Sequence, residues 1–192
     1  MARSPTVEVL VLCGIVFVFQ QLVRIAAGME TMLVLVALST PLGEFPWTLA
    51  TSVYAHAGIS HLLGNAIVIA LVGLPLERLT TPTRFHAFFF ATGAAAGVFQ
   101  VVVTGLVGTG TAVLGASGAA FALLGYVTTA NRVTGGLFDR LSLAMNAQLV
   151  LFVAVAVVVA VVTYSPGIAL AGHFFGFLLG LLAGRVNLLR TG

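Results

Sequence analysis

Six apolar runs follow one another along the chain, with polar and helix-breaking residues gathered between them. Val7 to Val23 is apolar apart from Glu8, Cys13, Gly14 and the Gln20-Gln21 pair, and predicts a first helix of ordinary spanning length. From Arg24 to Tyr54 the pattern breaks up. Met32 to Leu38 is apolar but only about seven residues long, and Pro41, Gly43, Glu44, Pro46 and Trp47 follow it. Such a stretch predicts an interfacial segment with Trp47 as its amphipathic anchor. His61 to Leu79 is the second span, closed by Glu77-Arg78 and a turn at Thr80 to Thr83. Phe85 to Thr104 is the third, with Gly93 and Gly97 spaced as a close-packing pair. Ser117 to Ala130 is the fourth. After a polar loop from Arg132 to Arg140, Leu149 to Thr163 supplies a valine-rich fifth span. Pro166-Gly167 turns the chain into a sixth, Ile168 to Leu189, where Gly172, Gly176, Gly180 and Gly184 recur every four residues.

The fourth run differs from the others. At about 1.5 Å per residue, its roughly 14 residues reach about 21 Å, short of a hydrocarbon core of about 30 Å. The helix is therefore expected to begin inside the membrane, after a glycine-rich, non-helical stretch from Gly105 to Leu114. Irregular backbone at that depth is tolerated only where protein covers it or where it lines a wet cavity. Ser117 sits at the seam, which puts a hydroxyl at a helix N-terminus, below the surface, beside a cavity.

Composition sharpens this into a class. The chain is 60% hydrophobic and 7% charged, with a mean hydropathy of +1.16, far from the quarter-charged make-up of a soluble domain. The expectation is an all-α, polytopic membrane protein, a six-helix bundle forming a single domain over residues 1–192. A net charge of +3, scattered over arginines, does not suggest nucleic acid. Cys13 is the only cysteine, so neither a disulfide framework nor a zinc site is expected. No small-residue cleavage pattern follows the first apolar run, which reads as a retained span. The loops after spans two and four and both termini hold every arginine except Arg24. By the positive-inside bias those segments face the cytoplasm, and Ser117 lies toward the outer side.

Polar residues inside spans are expensive and need a reason. His61 and Asn65, at i and i+4, share one face near the outer end of span two, and His173 lies in the first turns of span six. Three helices thus aim a serine, a histidine and a His/Asn pair at one outer level. A serine hydroxyl attacks only when a base takes its proton, and His173 is the one unclaimed imidazole on another span. His61, the Asn65 amide and the Ser117 backbone N–H would supply donors for a tetrahedral oxyanion. No aspartate lies in the outer half, so the pair would be a dyad, its imidazole held by stacking on Phe121. Each residue alone has a plainer reading: Ser117 bonding its own i−4 carbonyl, or His61 and Asn65 clamping two helices.

Taken together these residues resemble the rhomboid family of intramembrane serine proteases. The resemblance is carried by His56-x4-His61-x3-Asn65, by Gly115-Ala116-Ser117-Gly118, and by Gly172-His173-x2-Gly176-x3-Gly180, in that order. Trp47 nine residues before His56, and Glu77-Arg78 closing span two, agree as well. The resemblance implies Ser117 as nucleophile and His173 as general base. It implies an oxyanion and substrate site at His61, Asn65 and Gly115, with His56 and Phe121 in support. It also implies a membrane-embedded first loop from Met29 to Ala55, in which Thr48 stands where many members carry arginine.

The expected reaction is hydrolysis of a peptide bond in or near a transmembrane segment of another protein, without metal or cofactor. Its partners would be transmembrane substrates and membrane lipids, and its site the cell membrane. A substrate helix must unwind to expose its carbonyl, and the strand so released would pair with loop-three backbone around Gly110 to Leu114. The loop from Tyr164 to Ala171 and the fifth span would act as gates. Two other readings stand beside this one: a non-proteolytic relative that binds membrane helices, and a transporter with a polar path.

Overall fold

The computed structural model describes residues 3–109, 112–130, 144–162 and 169–191. The polar loop from Arg132 to Arg140, the residues Gly110, Thr111 and Thr163, and most of the expected gate at 164–171 lie outside them. Within the described residues the chain is helical, and the only bridge between extended segments joins Leu38 to Val113. The helices are α1 (Pro5–Val36), α2 (Thr48–Tyr54), α3 (Ile59–Leu76), α4 (Pro82–Leu106), α5 (Ser117–Ala130), α6 (Met145–Val162) and α7 (Leu170–Arg185). Pro5, Glu77–Leu79 and Thr81 mark ends the sequence advertises: a proline in the first turn of α1, a 3-10 turn after α3, and a threonine capping α4 through the Arg84 N–H.

The protein is a polytopic membrane bundle. α1, α3 with its 3-10 turn, and α4 are each long and apolar enough to cross a membrane. Ile15, Val18, Leu22, Ile25, Leu71, Val150 and Val158 project outward unburied, an arrangement that suits lipid and not water. α5 is the axis of the bundle, in contact with α3, α4 and α7. Its buried residues include Ala119, Ala120, Ala122, Leu123 and Tyr126. Small residues let α7 come to backbone contact with it: a methyl added at Gly176, Gly180 or Gly184 would strike the carbonyl oxygen of Gly118, Ala122 or Tyr126.

Met32 to Leu38, read as an interfacial segment, largely continues a helix. α1 runs on to Val36, broken only at Gly28, where φ is 87° and ψ is 171°. At that glycine the chain turns, a backbone conformation costly for any other residue. Beyond it Met32 and Val36 are buried with Ala55 against Val16, Val23 and Leu114. The segment thus packs one face on protein and leaves Val34 exposed on the other, and Trp47 is half exposed. The first loop is held by Thr51, whose hydroxyl donates to the Leu35 carbonyl at 3.2 Å. Thr48 is buried and donates to the Phe45 carbonyl at 2.6 Å.

Both chain ends meet the α3–α4 turn. The Glu77 carboxylate accepts from the Ser4 hydroxyl at 2.8 Å and the Thr6 N–H at 3.0 Å, at the positive end of α1. Arg84 donates to the Arg190 carbonyl at 3.0 Å, and the Thr191 N–H to the Leu79 carbonyl at 3.2 Å. The termini and the turn therefore share one end of the bundle. The free N–H groups of a helix start suit a carboxylate. His86 meets Glu8 at 2.8 Å.

Candidate active site

Ser117 opens α5, and the residues before it explain its placement. Gly115 has φ of 142°, reserved in practice for glycine, and its N–H donates to the Ser52 carbonyl at 2.8 Å. Ala116 is fully buried. The first bond into the helix runs from the Ala120 N–H to the Ala116 carbonyl at 2.9 Å. The Ser117 N–H has no partner among the described residues, so a hydroxyl and a free N–H stand together at the positive end of a helix.

His173 lies one turn into α7, its N–H bonded to the Ala169 carbonyl at 2.9 Å. Its imidazole stacks on Phe121, with ring centroids 4.2 Å apart and planes at 23°. Nδ1 is buried and has no partner among the described residues. Among the described residues no third group orients this ring from behind, and stacking and the helix set its position. Ser117 and His173 line one small cavity with Gly115, Gly172, Gln100 and Ala96. Its volume of about 20 Å³ is enough for a water molecule. Among the described residues no hydrogen bond joins the hydroxyl to the imidazole.

His61 approaches the same place from α3. A methyl group at Gly115 would lie 2.8 Å from its Cε1, 3.1 Å from its Nε2 and 3.6 Å from the Ser117 Oγ. With hydrogen there instead, a small space remains between His61 and Ser117, open to a third atom. Asn65 is buried one turn further on, and its amide donates back to the His61 carbonyl at 3.0 Å, which leaves it a second N–H. His56 is fully enclosed. Its Nδ1 meets the Tyr54 carbonyl at 3.1 Å and its ring packs edge-on to His61 with centroids 5.1 Å apart. Of the expected residues, Gly115, Ser117 and His173 share the cavity, His61 and Phe121 touch members of it, and Asn65 and His56 stand behind His61.

Two glutamines that the pattern alone does not place belong to this region. Gln100 of α4 lines the cavity, and its Oε1 accepts from the Gly172 N–H at 2.8 Å, at the start of α7. Gln20 of α1 grips the backbone of His56. The only sequence signal for either was a polar side chain in the middle of an apolar span. In loop three, expected to offer backbone around Gly110 to Leu114, one edge is already taken. The Val113 N–H and carbonyl are both already paired with Leu38, at 2.8 and 2.9 Å. The opposite edge, at Leu114, has no backbone bond among the described residues. Among those residues, too, no group of three His, Cys, Asp or Glu side chains comes together as metal ligands.

The chain matches the family model described as Rhomboid domain over residues 43–190. It is 30% identical to RHOMBOID-like protein 5 of Arabidopsis thaliana over 144 residues, 75% of this chain and 45% of that protein. Over 93 residues it is 34% identical to Rhomboid protease GluP of Bacillus subtilis (strain 168), 47% of this chain and 17% of the relative. With Rhomboid-related protein 3 of Homo sapiens it shares 37% identity over 78 residues, 41% of this chain and 18% of the other. The chain thus spans less than half the length of these curated relatives.

Proposed function

The chain belongs to the rhomboid family, and from that premise we propose that it is an intramembrane serine endopeptidase working through a Ser117–His173 dyad. One observation carries the reading: an alcohol at the free end of a buried helix and an imidazole from a second helix line the same water-sized cavity. The missing hydrogen bond between them does not weigh against it, since such bonds are often long before substrate binds and tighten in the complex.

In the proposed reaction Ser117 Oγ attacks the substrate carbonyl while His173 takes its proton. His173 then returns that proton to the leaving amine. The oxyanion settles in the space left by Gly115, facing the His61 Nε2 and the Ser117 N–H, with the Asn65 amide behind. Water then hydrolyses the acyl-enzyme with His173 again as base. The substrate is a transmembrane segment unwound near its outer end, because an intrahelical carbonyl is bonded and shielded. Its strand pairs at Leu114, since the Val113 edge is occupied by Leu38. The site is the cell membrane, with both termini and the α3–α4 turn on the cytoplasmic side, where their arginines favour them.

Reconstituted protein is expected to cleave a model single-span substrate, with Ser117→Ala and His173→Ala silent. A serine-directed fluorophosphonate is expected to label the protein but not Ser117→Ala. Equal cleavage by wild type and Ser117→Ala would end the protease reading and favour a relative that only binds membrane helices.

A further inference from the structure

We propose that Gln20 is a positioning residue that sets the tautomer of His61, and that α1 is thereby part of the apparatus around Ser117. The inference rests on the oxyanion role given to His61 above. Gln20 is wholly buried in the middle of a membrane helix, where an amide is retained only if something uses both of its ends. Its Oε1 accepts from the His56 N–H at 2.9 Å, and its Nε2 donates to the His56 carbonyl at 3.2 Å. A primary amide is thus paired with both polar groups of one residue, as a neighbouring strand would be. Neither a hydroxyl nor a carboxylate has both the reach and the two polarities this needs.

The consequence passes through one peptide unit. The His56 carbonyl and the Ala57 N–H belong to the same planar group and point in opposite directions. Holding the carbonyl from one side therefore aims the N–H to the other, where it donates to the His61 Nδ1 at 3.5 Å. A neutral imidazole carries one proton, so an Nδ1 that accepts leaves that proton on Nε2. Cε1 and Nε2 are the ring atoms nearest the space at Gly115 beside the Ser117 hydroxyl, 2.8 and 3.1 Å from where a β-carbon would stand, and Nε2 is the nitrogen of the two. The relay runs from Gln20 through the 56–57 peptide to an N–H pointed where negative charge would form. In the other tautomer that site would meet a lone pair instead. At 3.5 Å the Ala57 link is the longest of the relay, and it is the one most readily lost if the peptide can rotate.

Two variants separate this from a merely structural role. Gln20→Met keeps the bulk and removes both bonds, whereas Ala57→Pro, at an exposed position, removes the N–H and leaves Gln20 untouched. Nitrogen-15 spectra of histidine-labelled protein in bilayers, assigned by the signal missing in His61→Asn, are expected to show the Nε2–H form in wild type. Both variants are expected to show a substantial Nδ1–H population, and a kcat on a single-span substrate lowered about 10- to 100-fold with little change in KM. An unchanged His61 spectrum in both variants overturns the proposal, whatever the rates do. Should Gln20→Met not fold, Gln20→Leu, which also removes both bonds to His56, takes its place. A wild type that cleaves nothing, yet whose His61 tautomer shifts in the variants, would remove the protease reading and leave the positioning role standing.

Discussion

Phe121 and His173 are stacked across the α5–α7 contact, 4.2 Å between centroids, and this pairing is what the imidazole has in place of a carboxylate. A buried Nδ1 without a partner among the described residues gives the ring no directional hold. Its orientation is left to the face of an aromatic ring one helical turn beyond Ser117. Such a contact is worth about 0.5 to 1.5 kcal/mol beyond burial, which is close to a factor of ten in rate. Phe121→Ala is expected to lower kcat by about tenfold while Phe121→Tyr keeps most of it. Steady-state cleavage of a single-span substrate reads this directly, and an alanine variant with undiminished kcat would show that the ring is held some other way.

Gly115 is constrained twice over, by a φ of 142° and by the His61 ring 2.8 Å from where a β-carbon would stand. Gly115→Ala should therefore cost about 1 to 3 kcal/mol of strain and fill the space assigned to the oxyanion. The rate of fluorophosphonate labelling at Ser117 is expected to fall by at least about 10²-fold, with a modest drop in melting temperature. Labelling at the wild-type rate would mean that the space beside His61 is not used.

The helical architecture could be read from the chain because lipid imposes it: apolar runs of spanning length have few alternatives. The start of α5 was legible to the residue, since glycines precede Ser117. The turn at Gly28 was not, because Arg24, Glu30 and Thr31 around it mark a break in the apolar pattern without showing that a helix resumes beyond the glycine. α2 was missed for its length, seven residues among prolines and glycines. At the site, residue types and helix faces single out Ser117, His173, His61 and Asn65, yet partners distant in sequence are a tertiary matter. Gln100 meets Gly172 across 72 positions, and Gln20 meets His56 across 36. No local pattern encodes either. The same holds for Val113, whose pairing with Leu38 depends on the fold-back at Gly28.

The α5–α7 seam sets the separation of the two helices that bear Ser117 and His173. At Gly180 a β-carbon would collide with the Ala122 carbonyl and come within 2.8 Å of the Tyr126 nitrogen, both backbone atoms that cannot step aside. Gly180→Val is expected to destabilise the protein by about 1 to 3 kcal/mol or more by overpacking, and to lower activity although the residue lies two turns from His173. Thermal unfolding in detergent is the measure. A variant as stable as wild type would mean that the helices can part without loss.

Gln100 joins α4 to the first turn of α7. Its Oε1 takes the Gly172 N–H, one of the donors that a helix start leaves without an intrahelical partner, and does so in a buried place where water is a poor substitute. Gln100→Leu preserves the volume but orphans that N–H, at a cost of about 1 to 3 kcal/mol. Gln100→Glu retains an acceptor in the same place and should lose less of the Gly172 tie than leucine does. Because His173 is the next residue, the leucine variant is also expected to lower kcat, whereas a change confined to KM would assign Gln100 to substrate contact. The ordering of melting temperatures, wild type above Gln100→Glu and both above Gln100→Leu, separates a hydrogen bond from simple packing. Leucine and wild type melting together would show that the start of α7 is held without Gln100.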